Sequence, residues 1–206
     1  NINLSICIVD LEEPRSDEVL VKIVACEVCH SDIMMQHGNS DYPFLLGHEG
    51  IGIIEKVGTS IKEYSVGDHV VISYTSCGHC DACCDKRPYQ CKYIYDPFFF
   101  EFREDGTTSV SYQNKSVPTF ISQGSIAEYA IVHKSSLVKV DNSLDLRVLA
   151  PLGCGIMTGA GSVINYLKLE EGPSILICGL GAVSFGVLTA TKQSGCSVII
   201  VIDRID

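Results

Sequence analysis

The sequence of 206 residues carries 25 acidic and 15 basic residues, and its formal net charge of −10 disfavours a nucleic-acid-binding surface. Its hydrophobic content of 46% is typical of a globular chain that buries a sizeable core as one large domain or two small ones. Residues 1–20 lack the pattern of a signal peptide, and the most apolar stretch, 175–190, is too short and glycine-rich to span a membrane. We therefore expect a cytoplasmic protein with no nucleic-acid and no membrane partner.

The first 140 residues have the pattern of a mostly β domain with irregular loops. Short apolar and alternating runs, separated by glycine-containing turns, predict strands over 18–26, 51–57, 69–74, 127–132 and 136–140. Residues 92–124, which include Phe98–Phe100, predict a loop that either folds over an apolar pocket or lies partly buried on the surface.

The pattern changes after about residue 143, where helices are expected over 145–152 and 156–167. A short apolar strand over 174–178 is followed by a glycine turn, a helical run up to Gly195 and a second strand over 197–202. This order predicts a βαβ unit with a parallel sheet. The fold class is therefore mixed, a mostly β part over residues 1–155 followed by an α/β part over residues 156–206.

Eleven cysteines are present, and four of them follow the spacing C-x2-C-x2-C-x7-C. Zinc accepts four thiolates in a tetrahedron, and one loop with these gaps can wrap a single ion. A site with four protein ligands has no open position, so the pattern predicts a structural zinc held by Cys77, Cys80, Cys83 and Cys91. A redox pair with bystanders, or simple buried cysteines, are the alternatives, and the adjacent Cys84 leaves the fourth sulfur slightly ambiguous.

A second set of metal-competent residues is dispersed along the chain as Cys29, His48 and Cys154. Each alone is more often structural than a ligand. Together they offer two sulfurs and one imidazole nitrogen, and they leave a fourth coordination position open for substrate. That donor set is typical of a catalytic zinc site.

A glycine-rich turn, Gly179-Leu-Gly181-Ala-Val-Ser184, follows a predicted strand and opens a predicted helix. In that context its backbone N–H groups would face the pyrophosphate of a dinucleotide. Ser184 replaces the usual third glycine, which predicts a slight outward shift of the helix. Asp203 ends the next strand, where a carboxylate accepts from the ribose hydroxyls of the cofactor and favours NAD over NADP. The adjacent Arg204 is a small counter-argument, because an arginine can accommodate the 2′-phosphate of NADP. The alternative for Asp203 is a simple turn residue at the end of the strand.

The run Gly47-His48-Glu49-x2-Gly52-x5-Gly58-x2-Ile61 resembles the zinc signature of the zinc-containing medium-chain dehydrogenase/reductase family. The four-cysteine spacing is similar to that family too, and residues 151–161 most resemble its aryl-alcohol (benzyl alcohol) dehydrogenase branch. The resemblance implies a GroES-like catalytic domain over residues 1–155. Residues 156–206 would then be the first, incomplete part of a Rossmann domain, a doubly wound parallel sheet.

The resemblance also assigns roles at the catalytic zinc. Cys29, His48 and Cys154 would be its ligands, Asp32 would orient His48, and Glu49 would lie beside the metal.

Other roles concern the cofactor, the proton and the substrate. His30 and Thr158 would contact the cofactor, although a surface histidine is the alternative for His30. Ser31 would accept the hydroxyl proton, but Met34 stands where many members continue the relay with a histidine, so water or His37 would carry the proton onward. Candidate walls for an aromatic substrate are Tyr74 and Phe98–Phe100.

The implied function is hydride transfer between an aryl or allylic primary alcohol and NAD, with an aldehyde as product. The implied cofactors are NAD and two zinc ions per subunit, one catalytic and one structural, and a homo-oligomer is expected for the full-length enzyme. Two alternatives are an inactive truncated zinc-binding remnant and a non-enzymatic zinc-stabilised module. A module would need the four-cysteine site but would have no use for Cys29, His48 and Cys154 together.

Overall fold

The computed structural model of the chain describes residues 4–36, 43–94, 102–169 and 172–204. The chain folds into two compact units, residues 1–150 and residues 151–206. The domain boundary expected between residues 155 and 156 stays a prediction.

The first unit is built on a five-stranded antiparallel sheet with strand order β7-β2-β3-β4-β8. A smaller antiparallel sheet has the order β1-β5-β6. The strands of the unit are β1 Asp10–Leu11, β2 Glu18–Cys26, β3 Gly50–Val57, β4 His69–Ile72, β5 Val110–Tyr112, β6 Lys115–Ser116, β7 Tyr129–His133 and β8 Leu137–Val140. All five predicted strands are therefore confirmed, with small differences at their ends.

Short helical segments connect these strands. Two are α-helical, α1 His30–Gln36 and α2 Asp81–Cys84. Single 3-10 turns occur at Pro88–Gln90, Phe120–Ser122, Lys134–Ser136 and Leu146–Val148. Within the loop predicted over 92–124, the structure thus has β5, β6 and one 3-10 turn, while Phe98–Phe100 lie outside the described residues.

Buried hydrophobic side chains pack on both faces of the larger sheet, one cluster around Val19, Val21 and Ile54 and a smaller one around Ile51 and Val71. Val19 and Val21 of β2 are fully buried, and they pair with Val132 and Ala130 of β7 on one side. Val21 pairs with Ile54 of β3 on the other side, and Ile54 is also buried. Each such side chain contributes roughly 1.5–3 kcal/mol of hydrophobic free energy relative to exposure. The segments that carry Cys29 and His48, which follow β2 and precede β3, are therefore attached to buried interior strands.

The second unit contains the predicted βαβ arrangement. Strand β9, Ser174–Cys178, pairs in parallel with β10, Val198–Ile202, and helix α4, Ala182–Gln193, connects them. Ahead of them, a 3-10 turn over Ala150–Gly153 leads into helix α3, Gly155–Gly161, which continues as a π-helical turn over Ser162–Leu167. The parallel sheet and the connecting helix confirm the predicted topology.

The helix expected over residues 145–152 is instead two 3-10 turns. The Asp145 carboxylate accepts from the Arg147 backbone N–H at 3.1 Å, which closes a tight turn at its start. Pro151 has no N–H to donate, and Gly153 has a low helix propensity, so a regular α-helix is not sustained here.

Two glycines allow the helices of the second unit to pack closely. A β-carbon on Gly159 of α3 would overlap the Val183 carbonyl oxygen of α4. A β-carbon on Gly186 of α4 would overlap the Ile156 carbonyl oxygen of α3. The two helix backbones therefore approach within a distance that only glycine permits. Among the described residues, no helix is both long and apolar enough to cross a membrane.

Candidate metal centres and cofactor turn

The four-cysteine loop of the first unit has the dimensions of a zinc site. Its sulfur atoms lie 3.9 Å apart for Cys77 and Cys83, 3.9 Å for Cys80 and Cys91, and 3.6 Å for Cys77 and Cys91. A tetrahedral zinc with bonds of about 2.3 Å requires sulfur–sulfur separations of about 3.8 Å. The four side chains therefore fit a single zinc ion as they stand.

Cys84 points away from this group, although it adjoins Cys83 in sequence. Its sulfur lies 3.5 Å from the His79 carbonyl oxygen, to which the thiol donates, and it is not part of the four-sulfur cluster. The ambiguity that Cys84 introduced at the level of sequence is resolved by helix α2, which turns successive side chains in different directions.

The local backbone favours a thiolate at Cys80. Hydrogen bonds from the backbone N–H groups of Cys83 and Lys92 lower the pKa of Cys80 to about 6. Burial acts in the opposite direction at Cys83 and raises the pKa of that thiol to about 12. The backbone N–H groups of this loop thus favour the thiolate form of Cys80, which is the form that binds zinc.

A second group of ligand atoms converges between the start of α1 and the start of β3. The Cys29 sulfur, a His48 ring nitrogen and a Glu49 carboxylate oxygen all lie within 4.8 Å of one another. His48 and Glu49 are each only 1% exposed. A partly buried thiol together with a buried imidazole and a buried carboxylate at these separations has the chemistry and spacing that zinc requires.

Asp32 organises this second group from behind. Its Oδ1 accepts from the Gly47 backbone N–H at 2.9 Å, and its Oδ2 accepts from the Cys29 backbone N–H at 3.0 Å. Oδ2 also lies 3.2 Å from Nδ1 of His48. Because a carboxylate attracts a proton, this contact favours the ring form with the proton on Nδ1, and Nε2 is then the nitrogen with the chemistry of a metal ligand. One buried carboxylate therefore fixes the backbone at Cys29, the backbone before His48 and the imidazole ring.

Two features of this pocket were not anticipated from the sequence. Gly47 adopts a φ of 103°, and a β-carbon there would overlap the Ile126 backbone nitrogen, so only glycine fits before His48. The Phe120 ring contacts the His48 imidazole edge-on, with 5.0 Å between ring centroids. The glycine that precedes His48 is visible in the sequence and could have indicated the tight backbone packing, whereas nothing in the sequence indicates the contact between His48 and Phe120.

The structure also locates the residues proposed for proton and cofactor handling near Cys29. The Ser31 hydroxyl lies 3.7 Å from the Cys29 sulfur, and His30 is exposed at the start of α1. Met34 is 64% exposed, while His37 lies outside the described residues. Tyr74 is half-buried in the segment that follows β4.

In the second unit, Cys154 is buried and precedes helix α3. Its carbonyl oxygen accepts from the Thr158 N–H at 2.8 Å, and Thr158 is exposed one turn into the helix. The ligand role of Cys154 and the cofactor role of Thr158 stay predictions.

The glycine-rich turn between β9 and α4 has the geometry of a phosphate cradle. Gly179 adopts a φ of 94°, and no atom of the described chain lies within 4 Å of a β-carbon placed on Gly181, the residue that caps α4. The space that a side chain would fill is therefore open at the N-terminus of a helix. The Asp203 carboxylate lies at the same turn, where it accepts from the Leu180 backbone N–H at 2.5 Å.

Ser184 lies in the first turn of α4, with its hydroxyl 3.9 Å from where a Gly179 β-carbon would stand. The expected outward shift of the helix stays a prediction. Close packing in this unit is provided elsewhere, by Gly159 and Gly186 between α3 and α4.

Residues 15–142 match the family model of the alcohol dehydrogenase GroES-like domain. The chain therefore belongs to the zinc-containing alcohol dehydrogenases of the medium-chain dehydrogenase/reductase family, with a GroES-like domain followed by the start of a Rossmann sheet.

Individual relatives support this placement. The chain is 38% identical over 199 residues to geraniol dehydrogenase of Castellaniella defragrans, covering 95% of the chain and 53% of the relative. It is 36% identical over 207 residues to alcohol dehydrogenase class-3 of Caenorhabditis elegans, covering 98% of the chain and 54% of the relative. The crystal structure of benzyl alcohol dehydrogenase from Acinetobacter calcoaceticus superposes with a TM-score of 0.86 at 39% identity, covering 95% of the chain and 53% of that structure. The chain thus spans about half the length of the relatives it matches.

Proposed function

We propose that the protein to which this chain belongs oxidises a primary alcohol to an aldehyde and transfers hydride to NAD, or runs the reverse reaction. The observation that carries the proposal is the convergence of Cys29, His48 and Glu49 in a buried pocket where Asp32 orients the histidine.

The proposed ligands of a catalytic zinc are Cys29, His48 and Cys154, with Glu49 beside the metal. When bound, zinc would act as a Lewis acid that lowers the pKa of an alcohol hydroxyl, as it lowers that of water from about 16 to about 7. The chain's own contribution is to present one imidazole and two sulfurs and to leave one position open. Cys77, Cys80, Cys83 and Cys91 would hold the second, structural zinc.

Ser31 is the proposed first acceptor of the hydroxyl proton. The support is that its hydroxyl oxygen lies 3.7 Å from the sulfur of Cys29, a proposed zinc ligand. The thioether of Met34 has no proton to exchange, so the next carrier is a solvent molecule or His37.

For the cofactor, we propose NAD at the turn of Gly179, Gly181 and Ser184, with His30 and Thr158 as further contacts. The support is the open space at Gly181, the helix N-terminus of α4 and the placement of Asp203 beside the turn. A carboxylate at that place accepts from ribose hydroxyls and repels a 2′-phosphate, which favours NAD over NADP.

The proposed substrates are aryl or allylic primary alcohols. Relatives named for geraniol and for benzyl alcohol match at 38% and 39% identity, and both of those alcohols carry unsaturation next to the carbinol carbon. Because another relative is named alcohol dehydrogenase class-3, a test of substrate preference must also include other alcohols. A homo-oligomeric, cytoplasmic enzyme is proposed for the full-length protein.

The test is NAD reduction by the native protein with benzyl alcohol, geraniol and ethanol as alternative substrates, followed by the variant Cys29→Ala. We expect turnover of the first two alcohols, at least a thousandfold loss in Cys29→Ala from the loss of a zinc ligand, and near-normal turnover in Cys26→Ser. Cys26 is a suitable control because its sulfur contacts Ser125 at 3.3 Å, an interaction that serine preserves, and it is outside the ligand group. Turnover that survives in Cys29→Ala, or is absent from a native protein with full zinc, contradicts the proposal.

A further inference from the structure

A cavity of about 450 Å³ in the first unit opens beside the four-cysteine loop. Cys77, His79 and Glu104 line it together, and their ligand atoms lie within 4.8 Å of one another. The His79 and Glu104 side chains are 58% and 50% exposed, so both are reached from solvent. The four-cysteine site thus has an adjoining donor set that contains one of its own sulfurs.

The hydrogen bonding of His79 prepares its ring for a cation. Nδ1 lies 2.9 Å from the Cys77 carbonyl oxygen, and because a carbonyl only accepts, Nδ1 carries the proton. In the neutral ring, Nε2 then presents a lone pair, and it lies 3.6 Å from Oε1 of Glu104. A lone pair that faces a carboxylate oxygen is favourable when a cation lies between them.

The same cavity contains a second histidine–carboxylate pair with the opposite arrangement. Nδ1 of His133 accepts from the Ser135 backbone N–H at 3.2 Å, so the ring proton is on Nε2. Nε2 lies 3.5 Å from the Asp17 carboxylate, and the proton on Nε2 already lies between these two groups, where a cation would otherwise bind. His133 and Asp17 therefore form an internal comparison that has the same residue types without the ligand geometry.

Charge also favours a cation near Cys77. Four thiolates around one divalent zinc leave a net charge of −2 on the cluster, and Glu104 adds a further negative charge. The two guanidinium groups that line this cavity are engaged by other carboxylates, Arg15 with Asp105 at 2.7 Å and Arg103 with Glu18 at 2.6 Å.

We propose that the His79 imidazole, the Glu104 carboxylate and the Cys77 thiolate form a further site for a thiophilic divalent cation, zinc being the natural candidate. Cys77 is shared, because a thiolate sulfur has lone pairs enough to bridge two metal ions. The further site has one sulfur, one nitrogen and one oxygen donor and open positions for water, so it binds zinc more weakly than the four-sulfur site and exchanges it with solvent.

The experiment is equilibrium dialysis of the zinc-loaded protein against a series of buffered free zinc concentrations, with bound metal measured by mass spectrometry. We expect one additional zinc per chain above the resident content, with saturation. Glu104→Gln and His79→Ala each weaken that additional ion by about tenfold or more, the cost expected when a ligand or its support is removed. Asp17→Asn, which removes one carboxylate from the same cavity, leaves its affinity unchanged.

Circular dichroism and the resident zinc content establish that each variant is folded, which is expected because both changed side chains are half exposed. A bound zinc content that never exceeds the resident ions overturns the proposal. Equal weakening by Glu104→Gln and Asp17→Asn overturns it in favour of a general field effect. Loss of resident zinc from His79→Ala, without change in the additional ion, overturns it in favour of a purely structural role for His79.

Discussion

The substitution Asp32→Asn tests whether one buried carboxylate organises the dispersed metal site. Asp32 is 2% exposed and faces three donor groups: it accepts from the backbone N–H groups of Cys29 and Gly47, and Nδ1 of His48 lies 3.2 Å from its Oδ2. Asparagine has the same shape but only one accepting oxygen, and its amide group is itself a donor. At least one of the three donors must therefore face another donor.

The magnitude follows from the less costly orientation of the asparagine. With its oxygen at the Oδ2 position, the contacts to Cys29 and His48 survive and the Gly47 N–H loses its acceptor. A buried unsatisfied donor costs about 1–3 kcal/mol, and the surviving contacts to Cys29 and His48 weaken because the accepting oxygen is no longer charged. Relief from burying a charge offsets part of this, so we expect a loss of about 2–3 kcal/mol in the free energy of unfolding. We also expect zinc affinity at this site to fall about 10- to 100-fold.

Urea unfolding followed by circular dichroism measures the stability change, and competition with a chromogenic chelator measures zinc affinity. Asp141→Asn is the matched control, since Asp141 accepts from the Ser143 backbone N–H at 2.8 Å but is exposed. The free energy of unfolding of the Asp141→Asn variant is expected to change by no more than about 0.5 kcal/mol. An Asp32→Asn variant that loses less than about 0.5 kcal/mol and binds zinc normally refutes the reasoning.

Three further predictions concern the four-cysteine site, the packing of helices α3 and α4, and the glycine-rich turn. Cys91→Ser is expected to remove one zinc per chain and to lower the melting temperature, whereas Cys84→Ser is expected to leave both unchanged. Metal analysis and thermal unfolding measure the two quantities, and equal losses in both variants contradict the four-sulfur assignment. Gly186→Ala destabilises the second unit by about 1–3 kcal/mol because its β-carbon meets the Ile156 carbonyl oxygen, which urea unfolding measures, and an unchanged midpoint contradicts that packing. Gly181→Ala leaves stability unchanged but weakens NAD binding in a calorimetric titration, because its β-carbon fills the open space at the turn; normal binding contradicts the cofactor placement.

Features of local origin were predictable from the sequence. The gaps between Cys77, Cys80, Cys83 and Cys91 are short enough that any compact loop brings the four sulfurs together, so spacing alone indicated one site. The strands β2, β3 and β9 were recognised from short apolar and alternating runs, because residues that face one buried sheet surface recur at every second position. The turn at Gly179 likewise follows from the strand before it and the helix after it.

Only the tertiary structure decided which distant groups meet. The approach of Glu104 to His79, the contact of Phe120 with His48 and the three donors gathered by Asp32 depend on how the sheets place their loops, and no period in the sequence encodes them. The 3-10 turns in place of the helix over 145–152 have a similar origin, because tertiary packing and capping outweigh weak propensities. Sequence therefore determined the donor types and the local elements, and long-range packing determined which donors share a cation, since that depends on distances that only the folded chain sets.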